Sequence, residues 1–342
     1  MTPKEIILTA LGGGQPERVP VALIGGGMWS VHHYGVTFKD LSLDASAMTS
    51  MLVEMSGRLR SDIVYVGSGY PNFPVAALGG RIVFREIGAP DLEAPIVVSE
   101  DDLEVLDPEL LDRDAVTATI REALKRTIAR IGDEYVVTLT AWGPFTLGAR
   151  LIGEETMMKA MFKRPVFVEK VLSFAVRLLI RFYEASLKEG NLEVLLIGEP
   201  TASGDLISRK QFETFVVPHL RTFTDWAGSM GARTILHICG DTTDRLDLFP
   251  LTGADCISLD HKTDIGKARD VLYGRMCFAG NVDPVRVLLQ GTVNEVEEAC
   301  RKTIETTGTA GFILMPGCDI PPTVPYENIL AFTEAGRRWS HG

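Results

Sequence analysis

The chain contains eight short runs of apolar and β-branched residues, mostly with a helical pattern between them. Such runs are typical of strands that are buried on both faces of a parallel sheet. The predicted strands span residues 19–24, 62–66, 135–142, 194–198, 233–239, 255–260, 276–281 and 311–318. The predicted helices include residues 113–131, 167–189, 209–230, 294–307 and 326–339. Eightfold alternation of strand and helix predicts a (β/α)8 barrel.

An open, doubly wound α/β sheet shows the same alternation, but a count of eight strands favours a closed barrel. A barrel needs about 250 residues, and the chain has 342. Part of the surplus follows the second predicted strand, where residues 76–98 contain glycine-rich turns on both sides of an extended run at 81–87. We expect a small hairpin insertion there. Because no linker or repeat divides the chain, residues 1–342 are predicted to form one domain.

The composition excludes several classes of partner. Lys plus Arg number 34 and Asp plus Glu number 45, so the formal charge is -11, which argues against nucleic acid and anionic membranes. The first five residues lack the pattern of a secretion signal. The most apolar stretch, around residues 171–183, carries Arg177 and Arg181 and predicts a buried helix instead of a membrane span. Five cysteines without a dense framework suit a reducing cytoplasm.

Two strand ends carry one imidazole and two thiols. His237 and Cys239 lie two residues apart at the end of the strand predicted at 233–239, so their side chains point to the same face. Cys318 ends the strand predicted at 311–318. In a barrel both strands end at the rim where active sites lie, so the three side chains can meet. One histidine and two cysteines form a zinc ligand set with an open fourth position, as in catalytic zinc sites.

The other cysteines and histidines have simpler interpretations. Cys256, Cys277 and Cys300 lie inside predicted elements without an obvious polar partner, so we expect inert core residues. His32 and His33 are expected in a loop, either at the surface or in the pocket.

Further polar residues follow the predicted strands. Glu199 comes one strand before His237, and it is either a resting fourth ligand or, in the reaction that the resemblance given below implies, the acceptor of a thiol proton. Its simpler role is to cap a helix or to orient His237. Asp260 and His261 end the sixth strand, where they support the site, contact a partner, or bond only within their own turn.

Other candidates at the rim are structural or line the mouth. Asn281 ends the seventh predicted strand. Its simpler interpretation is a structural role, although it can also support the substrate. Tyr70, Trp29 and Trp142 either line an apolar mouth, which the resemblance given below assigns to a flat macrocycle, or belong to the core.

Three segments carry a resemblance to a known family. They are HICGD at 237–241, GNVDP at 280–284 and PGCDIPP at 316–322. They resemble the uroporphyrinogen decarboxylase superfamily and, within it, the zinc-dependent methylcobamide:coenzyme M methyltransferases. The resemblance covers most of the chain and is strongest from residue 194 onward.

This resemblance implies a fold, a cofactor and a reaction. The fold is a (β/α)8 barrel, and zinc is held by His237, Cys239 and Cys318. The reaction moves a methyl group from a methylated corrinoid (methylcobalamin type), carried by a partner protein, to a small-molecule thiol such as coenzyme M.

Two departures separate the chain from the decarboxylases of this superfamily. Those enzymes need an arginine-rich N-terminal loop for a polycarboxylate, but residues 25–30 (GGGMWS) contain no arginine. The decarboxylases also have a histidine where this chain has Cys318. Three alternatives stay open: methyl transfer to tetrahydrofolate, a metal-free decarboxylase-like activity, and a non-catalytic corrinoid- or metal-binding barrel. The methyl acceptor, the upstream methyl donor and the oligomeric state cannot be read from the sequence.

Overall fold

Parallel strands form the wall of a barrel in a computed structural model, which describes residues 1–24, 26–189 and 192–339. The strands are β1 (Ile63–Val66), β2 (Ile82–Val83), β3 (Asp91–Leu92), β4 (Val136–Trp142), β5 (Val194–Gly198), β6 (Arg233–Ile238), β7 (Cys256–Leu259), β8 (Cys277–Val282) and β9 (Phe312–Pro316). The barrel strands follow one another in the order β1-β4-β5-β6-β7-β8-β9, and each neighbouring pair is parallel.

Helices surround this wall, and several begin at a capping side chain. Asp114 accepts from the Thr117 amide at the start of the helix Ala115–Ile131, and Thr292 forms a capping box with Glu295 at the start of the helix Val293–Thr307. The helices are α1 (Pro3–Leu11), α2 (Gly26–Tyr34), α3 (Phe38–Leu41), α4 (Ala45–Leu59), α5 (Phe73–Ala77), α6 (Glu100–Glu104), α7 (Ala115–Ile131), α8 (Pro144–Ile152), α9 (Glu154–Lys163), α10 (Pro165–Lys188), α11 (Arg209–Gln211), α12 (Val217–Ser229), α13 (Ile265–Leu272), α14 (Val293–Thr307) and α15 (Tyr326–Arg338).

Shorter helical turns join several of these elements. Those of the 3₁₀ type are Pro108–Arg113, Pro200–Ala202 and Thr243–Thr252, and those of the π type are Phe212–Val216 and Pro284–Leu289. Within the described residues, none of the helices is long and apolar enough to cross a membrane.

The predicted first strand, residues 19–24, closes the barrel without forming a regular strand. Val21 makes an isolated parallel bridge with Leu314 of β9, and the Asp62 amide donates to the Val21 carbonyl at 2.7 Å on the other side. Pro20 accepts from the Leu314 amide at 2.9 Å, but it has no N–H to extend the ladder. The segment therefore occupies the eighth position between β9 and β1, and the predicted (β/α)8 barrel is confirmed.

The apolar core forms two layers. Alternate strand residues, among them Ile63, Leu196 and Ile235, fill the interior of the barrel, and a larger set packs between the strands and the helices. Cys256 and Cys277 pack in the interior with at most 1% exposure, as expected for inert core residues. The prediction of one domain over the whole chain stays a prediction.

The structure differs from the sequence analysis in two loops. The hairpin insertion is present, but its antiparallel strands β2 and β3 are only two residues long, shorter than the predicted run at 81–87. The prediction of a loop at His32 and His33 was wrong, because both lie in α2. The glycines at the start of α2 lower its helix propensity. A Cβ on Gly27 would lie 2.6 Å from the Ser68 carbonyl oxygen, so only glycine at this position lets the helix pack so closely against the loop after β1.

A buried ion pair fastens the start of β1 to the closing segment. The Asp62 side chain is fully buried, and its two oxygens accept from the Arg18 guanidinium at 2.7 Å each. One of them also accepts from the Val21 amide at 2.8 Å. The carboxylate thus binds both the side chain and the backbone of the segment that completes the barrel.

We expect Asp62→Ala to lower the free energy of unfolding by about 3–5 kcal/mol, because it leaves a buried guanidinium without its partner. Chemical denaturation measures this loss. Asp225→Ala is the control: Asp225 forms an exposed pair with Arg221 one helical turn away, and its loss should cost less than about 1 kcal/mol. Similar losses in the two variants would contradict the role of Asp62 in closure.

Candidate metal centre

His237, Cys239 and Cys318 meet at the C-terminal mouth of the barrel. His237 is the penultimate residue of β6, Cys239 follows the end of that strand, and Cys318 lies two residues beyond β9. The Cys239 Sγ atom is 3.3 Å from His237 Nε2 and 3.5 Å from Cys318 Sγ. The three ligand atoms all lie within 4.8 Å of one another. The fold therefore brings together the three side chains that the sequence analysis proposed as ligands.

The donor atoms fit a zinc ion. Zinc binds thiolate sulfur at about 2.3 Å and imidazole nitrogen at about 2.0–2.1 Å, so tetrahedral ligands lie about 3.5–3.8 Å apart. The observed separations of 3.3 and 3.5 Å are close to these values. Among the described residues, the group holds three ligands, which leaves one tetrahedral position for another molecule.

The His237 ring is oriented by a residue on the neighbouring strand. Ser258 is the register partner of His237 on β7, and its Oγ atom lies 3.1 Å from His237 Nδ1. This hydrogen bond leaves Nε2 directed at Cys239, as a metal-binding imidazole requires. The sequence analysis did not single out Ser258, although its inward position two residues before Asp260 was a usable signal.

The two thiols lie within hydrogen-bonding distance, and each shifts the pKa of the other. The hydrogen bond with Cys239 lowers the pKa of the Cys318 thiol, and a bond with His237 lowers it further. The same bond with Cys318, together with burial, raises the pKa of Cys239. Burial alone would lower the pKa of His237, but the hydrogen bond and charge of Cys318 outweigh it and raise that pKa. A metal ion binds the deprotonated forms of these side chains, so its binding releases protons.

Glu199 caps a helix. Its side chain is fully buried, and its two oxygens accept from the Phe145 amide at 2.9 Å and the Thr146 amide at 2.7 Å, at the start of α8. Burial raises its pKa to about 7. A Cβ on Gly143 would lie 2.4 Å from a Glu199 oxygen, so glycine makes room for the carboxylate. The carboxylate lies outside the group of ligand atoms, which supports the capping role among the alternatives.

The loop after β7 is held by polar contacts. The Asp260 carboxylate lies 2.9 Å from His261 Nδ1, and Asp283 lies 3.7 Å from the other ring nitrogen. Asn281 Nδ2 donates to the Asp260 carbonyl at 3.0 Å. A Cβ on Gly317 would lie 2.2 Å from the His261 amide nitrogen. Asp260, His261 and Asn281 therefore shape the wall against which the loop bearing Cys318 packs.

Tyr70 and Trp29 are built into the core. Tyr70 is 3% exposed, its hydroxyl donates to the Phe38 carbonyl at 2.6 Å, and its ring contacts Phe38 and Phe73. The Trp29 indole donates to the Val324 carbonyl at 2.8 Å. The Tyr70 hydroxyl therefore already has a partner inside the protein. The contact of Tyr70 with substrate stays a prediction.

The sequence analysis did not single out two further polar side chains, one in the barrel interior and one beside Cys318. Tyr65 lies on the inner face of β1, 6% exposed, and its hydroxyl has no hydrogen-bond partner. Asp319 follows Cys318, and its depth in the barrel raises its pKa to about 6, although solvent reaches the side chain through the mouth. Alternate residues of β1 point into the barrel, which could have identified Tyr65 from the sequence. Asp319 could have been identified by its position next to Cys318.

Comparison with known proteins assigns the chain to a family. The family model for uroporphyrinogen decarboxylase (URO-D) matches residues 2–339. The methylcobamide:CoM methyltransferase MtbA of Methanosarcina acetivorans is 29% identical over 252 residues, which cover 74% of this chain and 72% of that protein. The uroporphyrinogen decarboxylase of Geotalea daltonii is 28% identical over 276 residues, 78% of this chain and 77% of that protein.

A solved structure agrees with this assignment. A methyltransferase from Methanosarcina mazei superposes with a TM-score of 0.88 at 25% identity, and the match covers 98% of both chains. The resemblance found in the motifs is thus confirmed: the chain belongs to the uroporphyrinogen decarboxylase family, in which it groups with the methyltransferases.

Proposed function

We propose that the protein transfers a methyl group from a methylated corrinoid, carried by a partner protein, to a small-molecule thiol at a zinc site. The observation that supports this most strongly is the group of His237, Cys239 and Cys318, whose ligand atoms lie within 4.8 Å at the mouth of the barrel. The relatives named methylcobamide:CoM methyltransferases support the same reaction.

The chemistry requires a thiolate. A free thiol has a pKa of about 8.5 and is mostly protonated at neutral pH, whereas the thiolate is the nucleophile. Zinc held by these three side chains would keep a substrate thiol at the open position deprotonated. The thiol proton leaves to solvent and the substrate sulfur attacks the methyl carbon. The new C–S bond forms as the Co–C bond breaks, and the electron pair of the broken bond stays on cobalt.

The side chains of the protein prepare this attack. Ser258 fixes the orientation of His237 through the 3.1 Å hydrogen bond. The Cys239 and Cys318 thiolates offset the charge of a divalent ion, so a substrate sulfur beside them stays electron-rich. The position at the C-terminal mouth gives both the thiol and a corrinoid access to the site.

The competing functions fit less well. A decarboxylase acting on a polycarboxylate needs guanidinium groups in its pocket, but α2, which follows the first predicted strand, contains no arginine. A non-catalytic barrel requires a closed fourth position, and the group offers only three ligands within the described part of the chain. Transfer to tetrahydrofolate shares the corrinoid donor and differs only in the acceptor.

The cytoplasmic location stays a prediction.

Purified wild-type protein is expected to contain about one zinc per chain, and Cys239→Ser and Cys318→Ser are each expected to lose it, because a three-ligand site cannot hold the ion with two. Elemental analysis after dialysis measures the content. Cys300→Ala, which changes a buried thiol of α14, is the control that should retain zinc. Zinc-free wild type, with both serine variants folded and unchanged, would overturn the proposal.

Zinc-loaded protein is expected to demethylate free methylcobalamin when a thiol is present, which absorbance at the corrinoid bands follows. Chelation should abolish the reaction and added zinc should restore it, since the thiolate depends on the ion. Turnover that survives complete removal of metal would contradict the mechanism. Turnover with tetrahydrofolate but with no thiol would establish the alternative acceptor.

Glu199→Gln should retain zinc and change how stability depends on pH. The folded protein holds the Glu199 proton up to about pH 7, above the ordinary carboxyl value of 4.5, so ionisation destabilises the fold as pH rises through this interval. We expect the unfolding free energy of wild type, relative to the variant, to fall by roughly 2–3 kcal/mol between pH 4.5 and 8.

Denaturation of wild type and variant at saturating zinc measures this difference. The pH dependence of zinc binding is common to both proteins, so it cancels when their unfolding free energies are subtracted. A constant difference across the pH range would contradict the raised pKa. If the pH profile of methyl transfer shifts in the variant instead, Glu199 accepts the thiol proton.

A further inference from the structure

Four neighbouring strands carry a row of register partners that includes one of the ligands. Trp142 on β4 pairs with Gly198 on β5, Gly198 pairs with His237 on β6, and His237 pairs with Ser258 on β7. Neighbouring strands lie about 4.8 Å apart, so the backbone of Trp142 lies about 10 Å from that of His237. The row therefore places an aromatic residue two strands away from the ligand group.

The side chains of this row point into the barrel. Val136 on β4, Leu196 on β5 and Ile235 on β6 belong to the interior layer, and each lies an even number of residues before the row on its strand. Because alternate strand residues share a face, Trp142 and His237 project from the same inner surface.

The indole of Trp142 fills the place of the side chain that Gly198 lacks. A Cβ on Gly198 would lie 3.0 Å from Cζ3 and 3.1 Å from Cε3 of Trp142. Because that Cβ would point inward, the ring lies over β5 inside the barrel, about one strand spacing from β6. The His237 side chain therefore has a large, flat and mainly apolar ring as its neighbour on the β5 side.

A hydrogen bond holds the ring in this position. Trp142 Nε1 donates to Asn72 Oδ1 at 2.8 Å, and Asn72, 4% exposed, directly precedes α5. Asn72 Nδ2 donates in turn to the Pro90 carbonyl at 3.3 Å and to the Asp91 carboxylate at 3.1 Å, at the second strand of the hairpin insertion. The insertion thus fixes a ring that is still partly exposed at the mouth.

The ligand group comes from the other side of the mouth. His237 and Cys239 come from β6 and Cys318 from the loop after β9, with β7 and β8 between them in the order of the strands. In the part of the chain that the structure describes, β4 and β5 contribute no ligand to this group. A molecule that binds beside the three ligands, inside the mouth, is therefore bounded by their side chains on one side and by the Trp142 ring on the other.

We propose that the Trp142 ring sets the size of the methyl acceptor, so that the site takes small, unbranched thiols and excludes thiols with a bulky group near the sulfur. The inference rests on the proposed function and names the substrate class of that site. The ring cannot move aside without leaving the buried Asn72 oxygen unpaired, so a bulky group clashes with it. A short carbon chain instead packs against the ring and removes apolar surface from water.

Three thiols test this proposal, with methylcobalamin as methyl donor: 2-mercaptoethanol and 2-mercaptoethanesulfonate (coenzyme M) are small, and benzyl mercaptan carries a ring on its thiol-bearing carbon. Rates are compared at several pH values, because the free thiols differ in pKa. We expect the wild-type kcat/KM for 2-mercaptoethanol to exceed that for benzyl mercaptan by about tenfold or more. Calorimetric binding of the two uncharged thiols to zinc-loaded protein, without methyl donor, should give the same order.

Trp142→Ala should reduce this preference, because it opens the space over Gly198. We expect the ratio of the 2-mercaptoethanol to the benzyl mercaptan kcat/KM to fall by about tenfold at unchanged zinc content, and benzyl mercaptan to bind the zinc-loaded variant more tightly than wild type. A variant that is merely destabilised would lose activity with both thiols and keep the ratio. Trp226→Ala is the matched control: Trp226 is also partly exposed, but it lies on α12 against Phe223, so its loss should leave the ratio unchanged.

The outcomes separate the two proposals. Equal use of the two uncharged thiols by wild type, or the wild-type ratio in Trp142→Ala, would overturn the role of Trp142 and leave thiol methylation intact. Activity of wild type with none of the three thiols would overturn the proposed function itself. Should Trp142→Ala fail to fold, Trp142→Phe serves instead, since its smaller ring is expected to lower the ratio by a smaller factor. A wild-type ratio in Trp142→Phe, in turnover and in binding, would then contradict the proposal.

Discussion

Closure of the barrel is the constraint on which the metal centre depends. Cys239 and Cys318 are 79 residues apart in the chain, and their sulfur atoms come within 3.5 Å only because β6 and β9 end at the same rim. The least regular part of that ring is the segment at 19–24, which pairs with β9 through a single bridge at Val21. The buried carboxylate of Asp62 compensates there, since it binds both the Arg18 guanidinium and the Val21 amide.

Close backbone contacts set the fine geometry of the ligands. Gly240, next to Cys239, has a φ of 78°, and a Cβ there would lie 2.2 Å from the Ser203 hydroxyl. Gly317, next to Cys318, packs directly on the backbone of His261. Larger residues at these positions would push the two loops apart. The two glycines therefore help to set the separation of the sulfur atoms.

The parts of this arrangement that follow from periodicity could be predicted from the sequence. Alternation along a strand places His237 and Cys239 on one face, and eight apolar runs predict the rim where Cys318 joins them. The sequence left Glu199 with several alternatives, a metal ligand, a proton acceptor, a helix cap or a partner of His237, because the choice depends on which helix begins beside β5. The prediction of a loop at His32 was wrong. The glycines before it have low helix propensity, and the close approach of Gly27 to Ser68, which requires glycine there, is a tertiary contact that propensity does not report.

Membership in the family does not by itself select the chemistry, because decarboxylases and methyltransferases are both similar to this chain over most of its length. The shared scaffold includes the closed barrel and its rim, and such scaffolds host different reactions. The distinction rests on a few side chains. A second thiol at Cys318 favours a soft metal ion, and the absence of arginine from α2 removes the groups that bind a polycarboxylate. These two departures are what favour the proposed thiolate chemistry over decarboxylation of a polycarboxylate on the shared scaffold.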